Sequence, residues 1–274
     1  MILEINQISA NGKNLFEIIE GGQLLYQAHS PWLPMITDAA RKITMSDPAG
    51  QKVFETNYSF LENMSEAIVP FKYLLTGAQK FNQYSVVDAD GKTIGAFYSE
   101  LNGLIDKKLY LQRENRAIVG YRRSVGNKEV VSFYQNERQV GQLTRSNSTV
   151  NNQDRYLLHF LPGYESWLPI LAFFTVYYDF MYHNNSGKVM IGYSTKYVYT
   201  YDKNNKKYDK NFIRNNFGQA EDDRINGKGS NSMKAKASVG NLTMKQFWTI
   251  FGIGWGVAIL TAVIILLIVF FVID

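Results

Sequence analysis

Residues Ser166–Asn185 read SWLPILAFFTVYYDFMYHNN, and where this stretch belongs decides the fold. Trp167–Tyr182 is apolar on every face, with Asp179 as its single charge. Sixteen residues of helix reach about 24 Å at ~1.5 Å per residue, short of a hydrocarbon core of ~30 Å, so a buried helix is the better reading. Ser166 suits an N-cap, Pro169 falls in the first turn where its missing N–H costs nothing, and Asn184, Asn185 and Gly187 end the helix. A helix without a polar face must be surrounded on every side. Protein can do that only by closing around it.

The preceding 160 residues supply the enclosure. NLFEII–EGG–QLLYQAH, RKITMS–DPAG–QKVFET, QYSVVD–ADG–KTIGAFYS, KKLYLQ–REN–RAIVGYRRS and VVSFYQ–NER–QVGQLTRS each fit a β-hairpin with Gly, Asn or Asp in its turn. With MILEINQIS and DRYLLHF they amount to about a dozen short strands, the pattern of a sandwich or barrel. A weak repeat, [DN]-x-x-x-[IV]-G, recurs at Asp90–Gly95, Asn115–Gly120 and Asn136–Gly141. Its glycines sit early in return strands. They either make room for bulky side chains of the enclosed helix or mark bulges that relieve curvature. The sequence therefore predicts a mainly β fold, a closed antiparallel barrel of about twelve strands around a central helix at 167–182, with domain bounds 1–185.

A second apolar stretch closes the chain. Phe247–Ile273 is 27 residues without a charge, which spans roughly 40 Å as a helix and suits a transmembrane segment. Trp248 and Trp255 lie in its first half, and Gly252 and Gly256 form a GxxxG spacing through which two copies could dimerise. Charge is uneven: residues 1–185 carry 17 basic against 18 acidic residues, and residues 186–246 carry 12 against 5. The basic segment precedes the span and only Asp274 follows it, so the positive-inside rule places residues 1–246 in the cytoplasm of a single-pass, tail-anchored cell-membrane protein. This distribution favours anionic phospholipid over nucleic acid as a partner. Residues 186–246 read as a basic polar linker, with a possible hairpin over 188–203.

Strands carrying ITMSDPAGQKVFE, YSVVDADGKTIGAFYS and VSFYQNERQVGQLTRS, followed by PILAFFTVYYDFMYH, resemble the tubby-like superfamily, which includes tubby, the LURP-one-related proteins and the phospholipid scramblases. The resemblance implies a twelve-stranded barrel threaded by an apolar helix. It departs from several family members in continuing beyond that helix into a linker and an anchor. By the same resemblance, basic residues on the barrel would bind phosphoinositide headgroups; Arg41, Lys42, Lys107, Lys108, Arg113, Arg116, Arg122 and Arg123 are the candidates. In the linker, Lys228, Lys234, Lys236 and Lys245 are placed to meet the anionic leaflet. Scattered surface charge is the competing reading for the barrel residues, because acids such as Asp38, Asp106 and Glu114 lie among them.

Catalytic chemistry finds little support. The absence of cysteine excludes disulfides, thiolate metal sites and thiol nucleophiles. His29, His159 and His183 share no ligand spacing, and no nucleophile elbow, phosphate loop or zinc-binding H-E-x-x-H motif occurs. Asp88-Ala-Asp90-Gly91 begins like an EF-hand loop, but position 5 would be Lys92 and position 12 Ser99, so it reads as a turn. No metal, cofactor or catalytic residue is expected. The reading is a non-enzymatic, lipid-associated binding or scaffold module. The alternatives are a scramblase-like protein that moves phospholipids and, last, an enzyme with a pocket at the barrel mouth.

Overall fold

The computed structural model describes residues 1–9, 13–31, 41–59, 63, 80–102, 106–126, 128–146, 148–150, 153–183, 193–195, 204 and 206–226. Its strands are β1 (Ile2–Ser9), β2 (Lys13–Glu20), β3 (Gln23–Pro31), β4 (Thr44–Ser46), β5 (Lys52–Tyr58), β6 (Lys80–Asp88), β7 (Thr93–Asn102), β8 (Asp106–Arg113), β9 (Arg116–Val125), β10 (Lys128–Gln135), β11 (Arg138–Ser146), β12 (Ser148–Val150), β13 (Arg155–Phe160) and β14 (Tyr193–Thr195). Twelve of them close a barrel in the order β1-β13-β11-β10-β9-β8-β7-β6-β5-β4-β3-β2. Every neighbouring pair is antiparallel. β13 shuts the ring by pairing with β11 on one side and β1 on the other. Closure removes the open edges that a twelve-stranded sheet would otherwise present.

The central helix, Leu168–Tyr182, lies in the core of this barrel, and all eleven residues from Ile170 to Phe180 are buried. Inward positions of the strands meet it at period two: Leu3 and Ile5 on β1, Leu109 and Leu111 on β8, Tyr156, Leu158 and Phe160 on β13. Phe97 touches Phe173, Phe174 and Tyr177 of the helix at ring separations of 5.9, 5.3 and 5.2 Å. Each such ring removed from water stabilises the fold by roughly 1.5–3 kcal/mol. The helix begins differently from the sequence expectation. A 3₁₀ turn over Glu165–Trp167 leads into it, and Ser166 makes no side-chain cap. Pro169 does sit in the first turn.

Four hairpins share one device. Gly22, Gly50, Gly91 and Glu137 take positive φ angles in their turns. Three residues after each, Leu25, Val53, Ile94 and Val140 are inserted as the extra residue of a bulge. The bulged side chain is apolar each time and packs into or against the core. The bulges bend the strands, and each adds an apolar side chain to the core. This corrects the reading of the repeat glycines in part. The Ile and Val of the first and third copies are bulges, whereas the middle copy pairs in regular register. The room beside Gly120 and Gly141 is filled by neighbouring strands, not directly by the helix. A Cβ at Gly120 would lie 2.8 Å from Val131, and one at Gly141 2.5 Å from the Phe160 ring. Phe133, which stands against Phe160 at 5.3 Å, then meets Phe174 of the helix at 5.7 Å.

The compact unit extends through Asn226, well past residue 185. β14 pairs antiparallel with β12, so that part of the expected hairpin joins residues 148–150 rather than folding on itself. Two short helices, Phe212–Phe217 and Gln219–Asn226, follow, and Phe212 and Ile213 are buried against Leu161. The described part of the expected linker is therefore structured and packed on the barrel. Among the described residues no helix is long and apolar enough to cross a membrane. The span expected at 247–273, with Gly252 and Gly256, and the linker residues 227–246 lie outside the described residues.

Gly141→Ala is expected to lower stability by about 1–3 kcal/mol, because the new methyl overlaps the Phe160 ring. Thermal unfolding of Gly141→Ala, Phe160→Leu and the double variant reads this directly. The double variant should recover part of the loss, and strict additivity would show that the glycine is not there to admit the ring.

Candidate functional site

At one end of the central helix a rung of the barrel is charged. Glu129, Arg145 and Tyr156 are successive register partners across β10, β11 and β13, all pointing inward. Glu129 is 1% exposed. Its Oε1 accepts from the Arg122 Nε–H and the Tyr178 hydroxyl, and its Oε2 lies 2.7 Å from His183 Nε2. Arg145 Nη1 is 4.0 Å from the same Oε2, while Nη2 pairs with Asp154. The Tyr156 hydroxyl donates to Asp179 Oδ1 at 2.7 Å. The Arg122 guanidinium covers the rings of Tyr182 at 4.6 Å and Tyr178 at 5.7 Å.

Protonation states follow from these contacts. Burial opposes ionisation of Glu129, but His183 and Arg122 outweigh it and hold the carboxyl at about 2. Burial pushes the His183 imidazole below its ordinary value, against the pull of Glu129 and with the help of Arg145 and Arg122. The tyrosines 156 and 178 are driven well up, first by burial. An ionised Glu129, permanent cations at Arg122 and Arg145 and a neutral imidazole form a clamp on the helix C-terminus. The cations stand where the helix dipole is negative. The arrangement superficially resembles acid–base machinery, but Glu129, Arg145, Asp154, Asp179 and His183 are buried, with Arg122 partly open at the edge, and the contacts run to the helix and among the members themselves. It ties the end of the helix to the barrel wall.

Among the described residues, the eight predicted lipid contacts on the barrel are spread over different parts of it. Arg113 Nη1 donates to the Ser166 carbonyl at 2.5 Å and Arg116 lies over the Trp167 ring at 5.5 Å, so both hold the start of the central helix. Lys107 and Arg122 lie towards its other end. Lys107 covers Phe81 at 4.9 Å, and burial together with Arg122 depresses its amine. Arg122 is committed to Glu129. Arg41 sits over Tyr58 at 4.4 Å, and Lys42 pairs with Glu55 at 2.6 Å. Lys108 is half-buried on β8 opposite Glu100 and Tyr121. Arg123 is covered by Tyr208 at 4.8 Å. Lys228, Lys234, Lys236 and Lys245 lie outside the described residues. The acidic turn at Asp88 uses its Oδ1 to accept from the Asp90 and Lys92 amides at 3.1 and 2.9 Å, as a hairpin turn should.

The outer face of the barrel is the feature that sequence reasoning missed. Five consecutive residues of β10, Glu129 to Phe133, and six of β11, Val140 to Arg145, are buried, so both faces of these strands are covered. Asn204 and residues 206–226 run along this side. Asn204 donates to the carbonyls of Lys107 and Arg122 at 3.2 and 3.1 Å, Lys207 reaches Glu137, Glu221 lies 2.7 Å from His159, and Arg224 is 2.9 Å from Glu4. The available signal was the set of apolar residues Phe212, Ile213, Phe217 and Ile225 in an otherwise polar stretch. No family model matches this chain, and no curated protein or solved structure matches it.

Glu129→Ala should destabilise the protein by about 3–5 kcal/mol, because it strands buried cations. The wild-type clamp is also acid-sensitive. Glu129 and His183 both have folded pKa values below their unfolded ones, so their contributions are present above the unfolded values and lost as pH falls. Chemical denaturation between about pH 2 and 7 should show stability rising with pH, through His183 below its ordinary 6.5 and through Glu129 between about 2 and 4.5. A flat profile would disprove the protonation states given above.

Proposed function

We propose that this chain is a non-enzymatic binding or scaffold module whose plugged barrel presents its outer surface close to a membrane. The observation that carries this reading is the filled interior: the central helix is buried from Ile170 to Phe180 and takes the space in which a barrel of this size would otherwise hold a ligand. Recognition is then left to the outside of the barrel and to the segments beyond it. The resemblance to the tubby-like superfamily, with its lipid-associated members, points the same way. So does the uncharged run Phe247–Ile273 preceded by Lys228, Lys234, Lys236 and Lys245. The run would anchor the chain in the cell membrane with residues 1–246 in the cytoplasm, and each lysine near an anionic leaflet would add on the order of 1 kcal/mol.

Alkaline extraction of membranes tests the anchor, and vesicle sedimentation tests the lysines. The full chain should resist extraction, and a chain stopped after Gln246 should be released. That shortened chain should bind vesicles containing phosphatidylserine at low salt and lose them at high salt. Replacing the four lysines by Gln should weaken the binding at least tenfold, on the order of 1 kcal/mol for each residue. Release of the full chain by alkali would sink the anchor. Faster exchange of labelled lipid between leaflets in vesicles carrying the full chain would favour the lipid-moving alternative.

A further inference from the structure

Lys207 is held in a corner that the barrel builds without it. Tyr121 on β9 and Tyr134 on β10 both point outward, with Tyr121 opposite Ser132 and Tyr134 opposite Val119, so the two rings are diagonal neighbours on one face. They meet at 90° with centroids 5.5 Å apart. Glu137 stands beside them in the β10–β11 turn, where its φ of 63° fixes the carboxylate's origin at the rim. Into this corner Lys207 brings its ammonium, 5.6 Å from the Tyr121 centroid and 5.0 Å from that of Tyr134, in contact with Glu137. Two aromatic faces within about 6 Å of a cation, closed by a carboxylate, are a means of recognising an ammonium group.

We propose that Tyr121, Tyr134 and Glu137 form a binding site for the lysine of a partner peptide, and that residues 204–226 occupy it as an internal competitor. The occupant shows what the site accepts. Tyr208, next to Lys207, lies on the Arg123 guanidinium, and Asn204, three residues before Lys207, is hydrogen-bonded to the backbone of β8 and β9. The face therefore reads a short segment with a lysine followed by an aromatic residue. Asn204, Phe212 and Ile213 of the occupant are buried, but its pairs at Lys207 and Arg224 are open to solvent. Glu137 is 83% exposed, and the Arg224–Glu4 pair at the far end is 41% and 43% exposed. Exposed pairs of this kind hold weakly. A segment tied to the barrel at high effective concentration needs no stronger contacts to cover the site, and a partner peptide displaces it by supplying the same ones. The proposal rests on the reading of the outer face as a binding surface and is independent of the membrane anchor.

The test uses the full chain in detergent micelles and, as probe, a fluorescent peptide of its own sequence, NNKKYDKNF, corresponding to residues 204–212. Lys207→Met empties the corner while keeping an apolar stem. Fluorescence polarisation should show the peptide binding more tightly to the Lys207→Met chain than to wild type. Norleucine in place of the peptide's second lysine should weaken binding to the variant chain by about 3- to 30-fold, and norleucine in place of the first should change it by less than about twofold. Adding Tyr134→Leu to the Lys207→Met chain should cost a similar factor, with circular dichroism confirming that the barrel is intact. Equal binding by the two norleucine peptides, or no loss with Tyr134→Leu in the intact barrel, overturns the site. Equal binding by wild type and Lys207→Met overturns the competitor. Vesicle binding as expected alongside either failure would leave the membrane reading standing and remove only this site.

Discussion

A helix with no polar face cannot rest on a surface, because whichever side met water would expose large apolar rings. Leu168–Tyr182 is such a helix: Phe173, Phe174, Tyr177, Tyr178 and Phe180 crowd one half of it, and Ala172, Thr175, Val176 and Asp179 on the other half are buried too. Enclosure by a closed sheet solves the problem for both partners. The helix gains an apolar wall on every side, and the sheet gains a filling for an interior too wide for its own side chains alone. The four bulged hairpins are adaptations to that filling, each bending its strand and turning an extra apolar side chain towards the core.

Enclosure creates a second constraint at the end of the helix. The chain must emerge from the barrel after Tyr182, and the unpaired carbonyls of a helix C-terminus are costly to bury without partners. The His183 amide meets the Asp179 carbonyl there, and the rung Glu129–Arg145–Tyr156, with Arg122 and Asp154, holds the side chains of Tyr178, Asp179 and His183. Burying so many charges costs solvation and is repaid only while every member keeps its partners. An arrangement of this kind fixes the depth and rotation of the helix more than it adds net stability, since an apolar end would let the helix slide along an apolar tube.

Beyond the barrel, the strands β9 to β11 and β13 are covered on their outer side as well. A sheet with one wet face alternates buried and exposed residues; β10 and β11 do not. The segment 204–226 accounts for the difference, with Phe212 and Ile213 seated against Leu161 and charged contacts spread along its length. Its contacts are a small apolar anchor, one lysine between two tyrosines, a buried asparagine bonded to strand carbonyls, a close contact to the buried His159 and exposed pairs at Glu137 and Glu4.

Local pattern carried much of this architecture. An apolar helix too short to cross a bilayer, preceded by hairpins with Gly, Asn and Asp in their turns, already required a closed β structure, since periodicity and turn chemistry are properties of neighbouring residues. The strand pairing within hairpins was legible for the same reason. The charged clamp was not. Arg122, Glu129, Arg145 and Asp179 look like ordinary surface charges in sequence; only strand register shows that Glu129 and Arg145 share one rung with Tyr156, and only the packed helix and the neighbouring β9 bring Asp179 and Arg122 to it. Nor was the fate of 204–226 legible, because a polar stretch with four scattered apolar residues has no period to announce it. Its order comes from a surface assembled out of distant residues, such as the carbonyls that Asn204 meets 82 and 97 positions earlier in the chain. Sequence determined which segments had to be strands and which helix had to be hidden; the tertiary structure decided which charges were buried together and which outer face was covered, because those depend on contacts between residues far apart in the chain.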